Sequence, residues 1–250
     1  MPPDDEQARD YRTRIYQHYT ASSPEDVAPS TVEGFAPRAP YLRKLVREHF
    51  PPSRDARILD LGCGHGALLH FAAQAGYRNV RGVDRSPAQV AAAARLGIAN
   101  VFHGDSLEAL RSSGSESLDA VVSFDVLEHL GKDEVMNFAD AVYHALRAGG
   151  RWIVHTVNGE SPGAARMLYG DFTHETAFTR FSIAQVAGAA GFPRVECFEA
   201  APVVHGALSL ARRAMWSAVR SWIRLTIAIE SGDSASGAIL TENLLAVIYK

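Results

Sequence analysis

The chain has 250 residues, enough for one domain with a sizeable core and a helical cover. Its 47% hydrophobic and 21% charged residues are those of an ordinary soluble globular protein rather than a disordered or fibrous one. A formal charge of −3 gives no footprint for a polyphosphate, which points away from a nucleic-acid partner.

In chain order, residues 1–10 are polar and acidic and do not read as a secretory leader. No apolar run reaches the roughly 18 residues of a membrane span. Cys63 and Cys197 fit neither a disulfide framework nor a metal-ligand spacing, so a cytoplasmic setting is expected. Residues 1–50 read as an N-terminal helical cover: Tyr11, Tyr16 and Tyr19 lead in, a Ser/Pro-rich joint spans 22–40, and a helix covers 41–49. Pro51 and Pro52 end it, because the residue before a proline is pushed out of the helical region.

Residues 51–250 read as the main domain. Arg57–Leu61 is a short apolar strand running into a glycine-rich turn, and a helix over 67–75 stops at Gly76. A strand at Asn79–Asp84 precedes a helix over 87–96 that Ser86 can cap. Val101 and Phe102 form a short strand before Gly104-Asp105. Leu118–Phe124 is a β-branched strand, 133–148 a helix closed by Gly149-Gly150, and 151–157 a further strand. Beyond residue 180 come a helix (182–190), a strand (194–200), a helix over 206–231 within an insertion of about 201–240, and a last strand (242–250). Short buried strands alternating with helices predict an α/β, Rossmann-like, doubly wound and mostly parallel sheet. The last two strands flank the insertion and are expected to pair as an antiparallel edge.

The run Asp60-Leu61-Gly62-Cys63-Gly64-His65-Gly66 ends the first strand and opens a helix. Glycines there permit a tight turn and a close backbone approach to a ligand. Asp84 ends the second strand 22 residues after Gly62, where a carboxylate can accept from ribose hydroxyls. The spacing is G-x-G-x-G rather than the G-x-G-x-x-G of dinucleotide sites. Asp60, before the turn, suits a cationic amino-acid end, and Asp105, after the third strand, an adenine amine.

These features, with G-V-D at 82–84, G-D-S at 104–106, the run from Asp119 to Leu130 and L-R-A-G-G-R at 146–151, resemble the successive motifs of class I S-adenosylmethionine-dependent methyltransferases. The resemblance implies a seven-stranded sheet with an antiparallel last strand and S-adenosyl-L-methionine as cofactor. It implies that Asp60, Gly62 and Gly64 hold the methionine part, Asp84 the ribose and Asp105 the adenine, with Arg85, Ser106 and Phe124 beside them. Cys63 reads as a space-filling residue rather than a nucleophile.

Methyl transfer is an in-line displacement, helped by alignment and by removal of the acceptor's proton. Asp125, Glu128 and His129 stand at i, i+3 and i+4 and would share a face on a helical turn. Two carboxylates and an imidazole suit Mg²⁺ as an optional cofactor, or the positioning of a hydroxyl. The spacing is similar to the E-x-x-E-H of ubiquinone-pathway O-methyltransferases, although L-E-H-L also occurs in class I enzymes that use no metal. The run Asp171-Phe172-Thr173-His174, with Phe178-Thr179 and Ala190-Gly191-Phe192, resembles bacterial methyltransferases of glycan assembly. That likeness implies a saccharide hydroxyl as acceptor. His174 is the first candidate general base, having an unperturbed pKa near working pH, and His129 the second; alternatively Asp171 and His174 stitch a loop. His155, Asn158 and Asp171 are candidate acceptor contacts, though His155 also suits a hydrogen-bonded core position.

The [N/D/S]-P-P-[Y/F] signature of many amine-methylating nucleic-acid and protein-glutamine enzymes is absent, since the fourth strand ends Ser123-Phe124-Asp125. That tilts the expectation toward a hydroxyl acceptor, saccharide first, with quinol, phenol or polyketide methylation as a second reading and a non-catalytic cofactor-binding regulator as a third. The insertion helix, with Trp216 and Trp222, reads as packed over the domain or across a homodimer, with a saccharide site or a membrane surface as alternatives.

Overall fold

In the computed structural model the residues described are 11, 12, 15, 28–232, 235 and 237–250. The expected roles of Tyr16, Tyr19 and the first part of the Ser/Pro joint lie outside them. The fold is a seven-stranded sheet of β1 (Arg57–Leu61), β2 (Asn79–Asp84), β3 (Val101–His103), β4 (Leu118–Phe124), β5 (Leu146–Val157), β6 (Arg194–Glu199) and β7 (Asn243–Tyr249). Its spatial order is β3-β2-β1-β4-β5-β7-β6. The β1 to β5 pairings are parallel, and β7 runs antiparallel to both β5 and β6. The last two strands pair antiparallel at one edge of the sheet, as expected, with β7 interior and β6 on the rim. Leu244 to Ile248 of β7 are all buried, which suits a strand paired on both sides.

Helices cover both faces. One face packs Leu59, Leu61, Val121, Trp152 and Val154 against helices at Ser106–Ser113, Lys132–Ala145 and Arg180–Ala189. The other packs Ile58, Val80, Val122 and Ile153 against helices at Ala39–His49 and Ala67–Gln74. Leu42, Leu45 and Val46 are fully buried, so the N-terminal helix is a member of the covering layer rather than a loose flap.

Two local expectations change. Residues 146–150 do not finish a helix but begin β5, where the register shifts between Leu118 and Ala120. Gly149, at φ +76°, makes the bend, and its amide donates to the Lys250 carbonyl at 2.8 Å. Between β3 and β4 the chain forms the helix Ser106–Ser113, absent from the sequence reading; Asp105 caps it, accepting from the amides of Leu107 and Glu108. The pattern Asp105-x-x-Glu108 is the signal that was available for it.

Candidate active site

The carboxyl ends of β1, β2, β4 and β5 share one edge, and strand order reverses between β1 and β4, where open α/β sheets bind ligands. The glycine loop fills that point. Gly62 has φ +68°, and a Cβ on it would lie 2.6 Å from Val126 Cγ2, so the turn closes only without a side chain. A Cβ on Gly64 would meet nothing nearer than Gln89 Oε1 at 4.0 Å, which leaves an open cradle there. Cys63 packs over Gly82 instead, its Sγ within 2.5 Å of where a Cβ would stand. Burial, with Asp60 and then Asp84 nearby, pushes its thiol up, so it is no nucleophile.

Asp84 fastens this turn. Its Oδ2 accepts from the Gly64 amide at 2.7 Å and its Oδ1 from Ser86 at 2.8 Å. Burial nevertheless raises its carboxyl above the usual range, against the pull of those two amides. Asp60 is 1% exposed, and its Oδ1 is buried without a hydrogen-bond partner. Burial, then the Asp84 charge, pushes its carboxyl well up. An orphaned carboxylate oxygen beside an open glycine cradle is what an ammonium ligand satisfies. Asp105 uses Oδ1 as the helix cap, while its Oδ2 lies 3.6 Å from Arg85 Nε. Ser106 begins the helix behind it. The residues present thus fit an amino-acid nucleoside.

Across the cradle, Phe124 stacks on His155 with ring centroids 4.0 Å apart, and His155 Nδ1 binds Asp125 Oδ1 at 2.5 Å. Asp125 adopts a left-handed backbone, φ +56°, that turns its side chain back toward β5. Burial opposes its ionisation, but His155 and then Arg38 outweigh it and hold the carboxyl below the usual range. Two residues of this wall went unforeseen. Arg38 reaches to 3.9 Å from Asp125 Oδ2 and lies over the Phe124 ring. Tyr41 sets its ring edge against Phe124 and His155, its hydroxyl buried without a partner. Both sit more than eighty residues from Asp125, and no local pattern marks them.

The residues 171–175 approach the same edge. Thr173 Oγ1 donates to Asp171 Oδ1 at 2.7 Å and lies 2.8 Å from His129 Nδ1. With its own hydrogen committed to Asp171, Thr173 accepts from His129, which leaves the lone pair of that imidazole on Nε2. Burial, then His174, lowers His129 to about 4, so the ring is neutral near pH 7. His174 Nδ1 donates to the Met167 carbonyl at 2.9 Å, a group that can only accept, so the neutral ring carries its lone pair on Nε2. The two imidazoles meet edge to face, 4.7 Å between centroids.

The expected metal ligands do not converge. Leu127–His129 is a single 3₁₀ turn, which sends Asp125 to His155, Glu128 inward to Thr156 Oγ1 at 2.9 Å and His129 to Thr173. Glu128 is 2% exposed; burial, then Asp125, pushes its carboxyl well up, and its carbonyl accepts from the Glu175 amide. Among the described residues no three carboxylate, imidazole or thiol groups form a metal site. The residues present do not fit Mg²⁺. Asn158 also departs from its expected role. It is fully buried, its Nδ2 donating to the Ile239 and Thr241 carbonyls at 2.7 Å and its Oδ1 accepting from Glu160. It clamps the chain before β7 and, fully buried, presents no atom at the surface. Of the insertion tryptophans, Trp222 is 67% exposed and Trp216 half-buried.

A doubly wound sheet with an acid-flanked glycine turn at its switch point defines the class as a nucleoside-binding α/β fold. Residues 35–196 match the family model described as a methyltransferase domain, and the chain belongs to that family. Among curated proteins the chain is similar to the ubiquinone biosynthesis O-methyltransferase of Sinorhizobium medicae, 34% identical over 143 residues, covering 53% of this chain and 56% of that one. A namesake from Xylella fastidiosa is 31% identical over 125 residues, 48% of each chain. The chain thus spans about half the length of the curated relatives it matches. In fold it is similar to a SAM-dependent methyltransferase from Archaeoglobus fulgidus, with TM-score 0.59, 18% identity and 96% and 100% of the two chains covered. The Haemonchus contortus phosphoethanolamine N-methyltransferase 2, solved with S-adenosyl-L-methionine, gives TM-score 0.58 and 18% identity over 84% of this chain and 52% of that one.

Proposed function

We propose that the chain transfers a methyl group from S-adenosylmethionine to a hydroxyl of a small aromatic acceptor, a phenol or quinol. The observation that carries this reading is the likeness to ubiquinone biosynthesis O-methyltransferases, which favours it over the saccharide acceptor. The chemistry of the wall agrees. Phe124, Tyr41 and the paired imidazoles offer ring faces and edges, whereas Asn158, a natural sugar contact, is locked inside.

The cofactor supplies an electrophilic methyl on a sulfonium. Asp60 would hold its ammonium, Asp84 its ribose hydroxyls and Asp105 Oδ2, with Arg85, its adenine edge. Phe124 and the two imidazoles would border the acceptor hydroxyl. His174 Nε2 would take the proton that this hydroxyl gives up on methylation. His129 holds the neighbouring position through the Thr173–Asp171 relay. A phenol, far more acidic than a sugar hydroxyl, suits an imidazole base.

The test is turnover of labelled S-adenosylmethionine over catechols, hydroquinones, monosaccharides and nucleotide sugars. Methylation of the phenols alone is expected. Methylated sugar without methylated phenol would overturn the acceptor, and cofactor binding with no turnover on any of them would favour a regulator.

A further inference from the structure

Glu128 stands where the turn after β4, the end of β5 and the segment carrying His174 meet. It is the middle residue of the 3₁₀ turn Leu127–His129. Its buried side chain runs into the sheet, where Oε2 accepts from Thr156 Oγ1 at 2.9 Å. Thr156 is itself fully buried, next to His155 in β5. Successive residues of a strand point to opposite faces. Asp125, bonded to His155, and Glu128, bonded to Thr156, therefore grip β5 from its two sides. The Glu128 carbonyl serves the other partner. It accepts from two successive amides directly after His174, Glu175 at 2.7 Å and Thr176 at 3.3 Å. The next residue, His129, meets Thr173 through Nδ1. Three bonds from two adjacent residues thus fasten the run 173–176 to the turn.

We infer that Glu128 is a positioning residue: its side chain on Thr156 fixes the turn, its carbonyl fixes the segment after His174, and together they set the place of the two imidazoles. A 3₁₀ turn of three residues has too few bonds of its own to hold a bearing, so the grip on β5 decides where its carbonyls point. The disagreement with a metal site has the same cause. A carboxylate that ligated a cation would face the cleft with Asp125 and His129, whereas this one is spent on a threonine inside the sheet. Glu128 touches neither the acceptor nor the cofactor cradle and acts through His129 and His174. Its effect on rate rests on the reading of His174 as the base, and its effect on the segment does not.

Two measurements on the full chain test it. Amide hydrogen exchange of the Glu175 and Thr176 amides needs no acceptor, and kcat is read on the phenol that the wild type methylates fastest. Glu128→Ala should speed that exchange about tenfold or more and lower kcat about 10- to 100-fold, with S-adenosylhomocysteine affinity unchanged, which shows that it folds. Glu128→Gln keeps an accepting oxygen of the same reach and removes the charge a Mg²⁺ ligand needs, so it should restore most of both. Thr156→Val keeps the volume and removes the donor. It should shift both readouts in the same direction as Glu128→Ala, and it decides the matter if the alanine variant does not fold. Unchanged exchange in the folded variants, or faster exchange with unchanged kcat, would overturn the inference. A Glu128→Gln variant as slow as Glu128→Ala, with normal exchange, would also overturn it and assign the residue a role through its charge. If the wild type methylates no phenol, the proposed acceptor fails and the exchange alone decides the role of Glu128.

Discussion

The cofactor half and the acceptor half of the site are built in different ways. The cofactor half is local: the Gly62–Gly64 turn, Asp84 and Asp105 leave three adjacent strands and are pinned by backbone amides two to twenty residues away. The acceptor half is assembled from Arg38 and Tyr41, the turn after β4, His155, and the 171–175 segment, joined by side chains. Tyr11 and Arg12 extend it: Tyr11 donates to Glu175, and Arg12 bridges Glu134 and Glu175. A backbone-pinned cradle resists change in one place and fails as a unit, whereas a side-chain assembly can be retuned residue by residue.

That contrast can be broken most sharply at its two ends. His174→Ala should lower kcat about 10²- to 10³-fold while calorimetry shows unchanged cofactor affinity; a matching loss of affinity would erase the division. Asp84→Ala should weaken S-adenosylmethionine binding about a hundredfold, since it removes both the ribose acceptor and the clasp on Gly64 and Ser86. Asn158→Ala should cost about 2 kcal/mol of stability, read as a lower urea midpoint, with no specific rise in acceptor KM.

The pH dependence sharpens the acceptor half. His129, lowered to about 4 in the fold, stays neutral there while the unfolded chain takes up a proton near 6.5. Its contribution is full above about pH 6.5 and is lost as pH falls toward 4, on the order of 3 kcal/mol. Urea midpoints across that range should fall less steeply in His129→Asn. The smallest effect is expected from metal removal. Asp125, Glu128 and His129 face three different partners, so EDTA should leave the rate unchanged, and a loss restored by Mg²⁺ would refute this account of the turn.

Much of the cofactor half was legible in residues 57–106, because strand periodicity, a glycine turn and acids at strand ends are properties of near neighbours. Even there Asp105 was read only as a ligand contact, although Glu108 three residues on marks it as a helix cap. On the acceptor side the Asp171–His174 segment stood out, yet its meaning depended on Met167 and His129. Asp125, Glu128 and His129 were read as sharing a face because spacing on an idealised helix does not reveal that the chain makes one 3₁₀ turn and drives the Glu128 side chain into the core.

By itself the sequence determined the alternation of strands and helices, the glycine cradle with its carboxylates, and the long helix after β6, since each follows from turn geometry and periodicity within a short stretch of chain. Only the tertiary structure decided that β7 slots between β5 and β6, that Asn158 is a clamp, and that Arg38 and Tyr41 close the wall. Those outcomes are set by pairings between segments far apart in the chain, where burial and hydrogen-bond completion choose among arrangements that local propensity leaves equal.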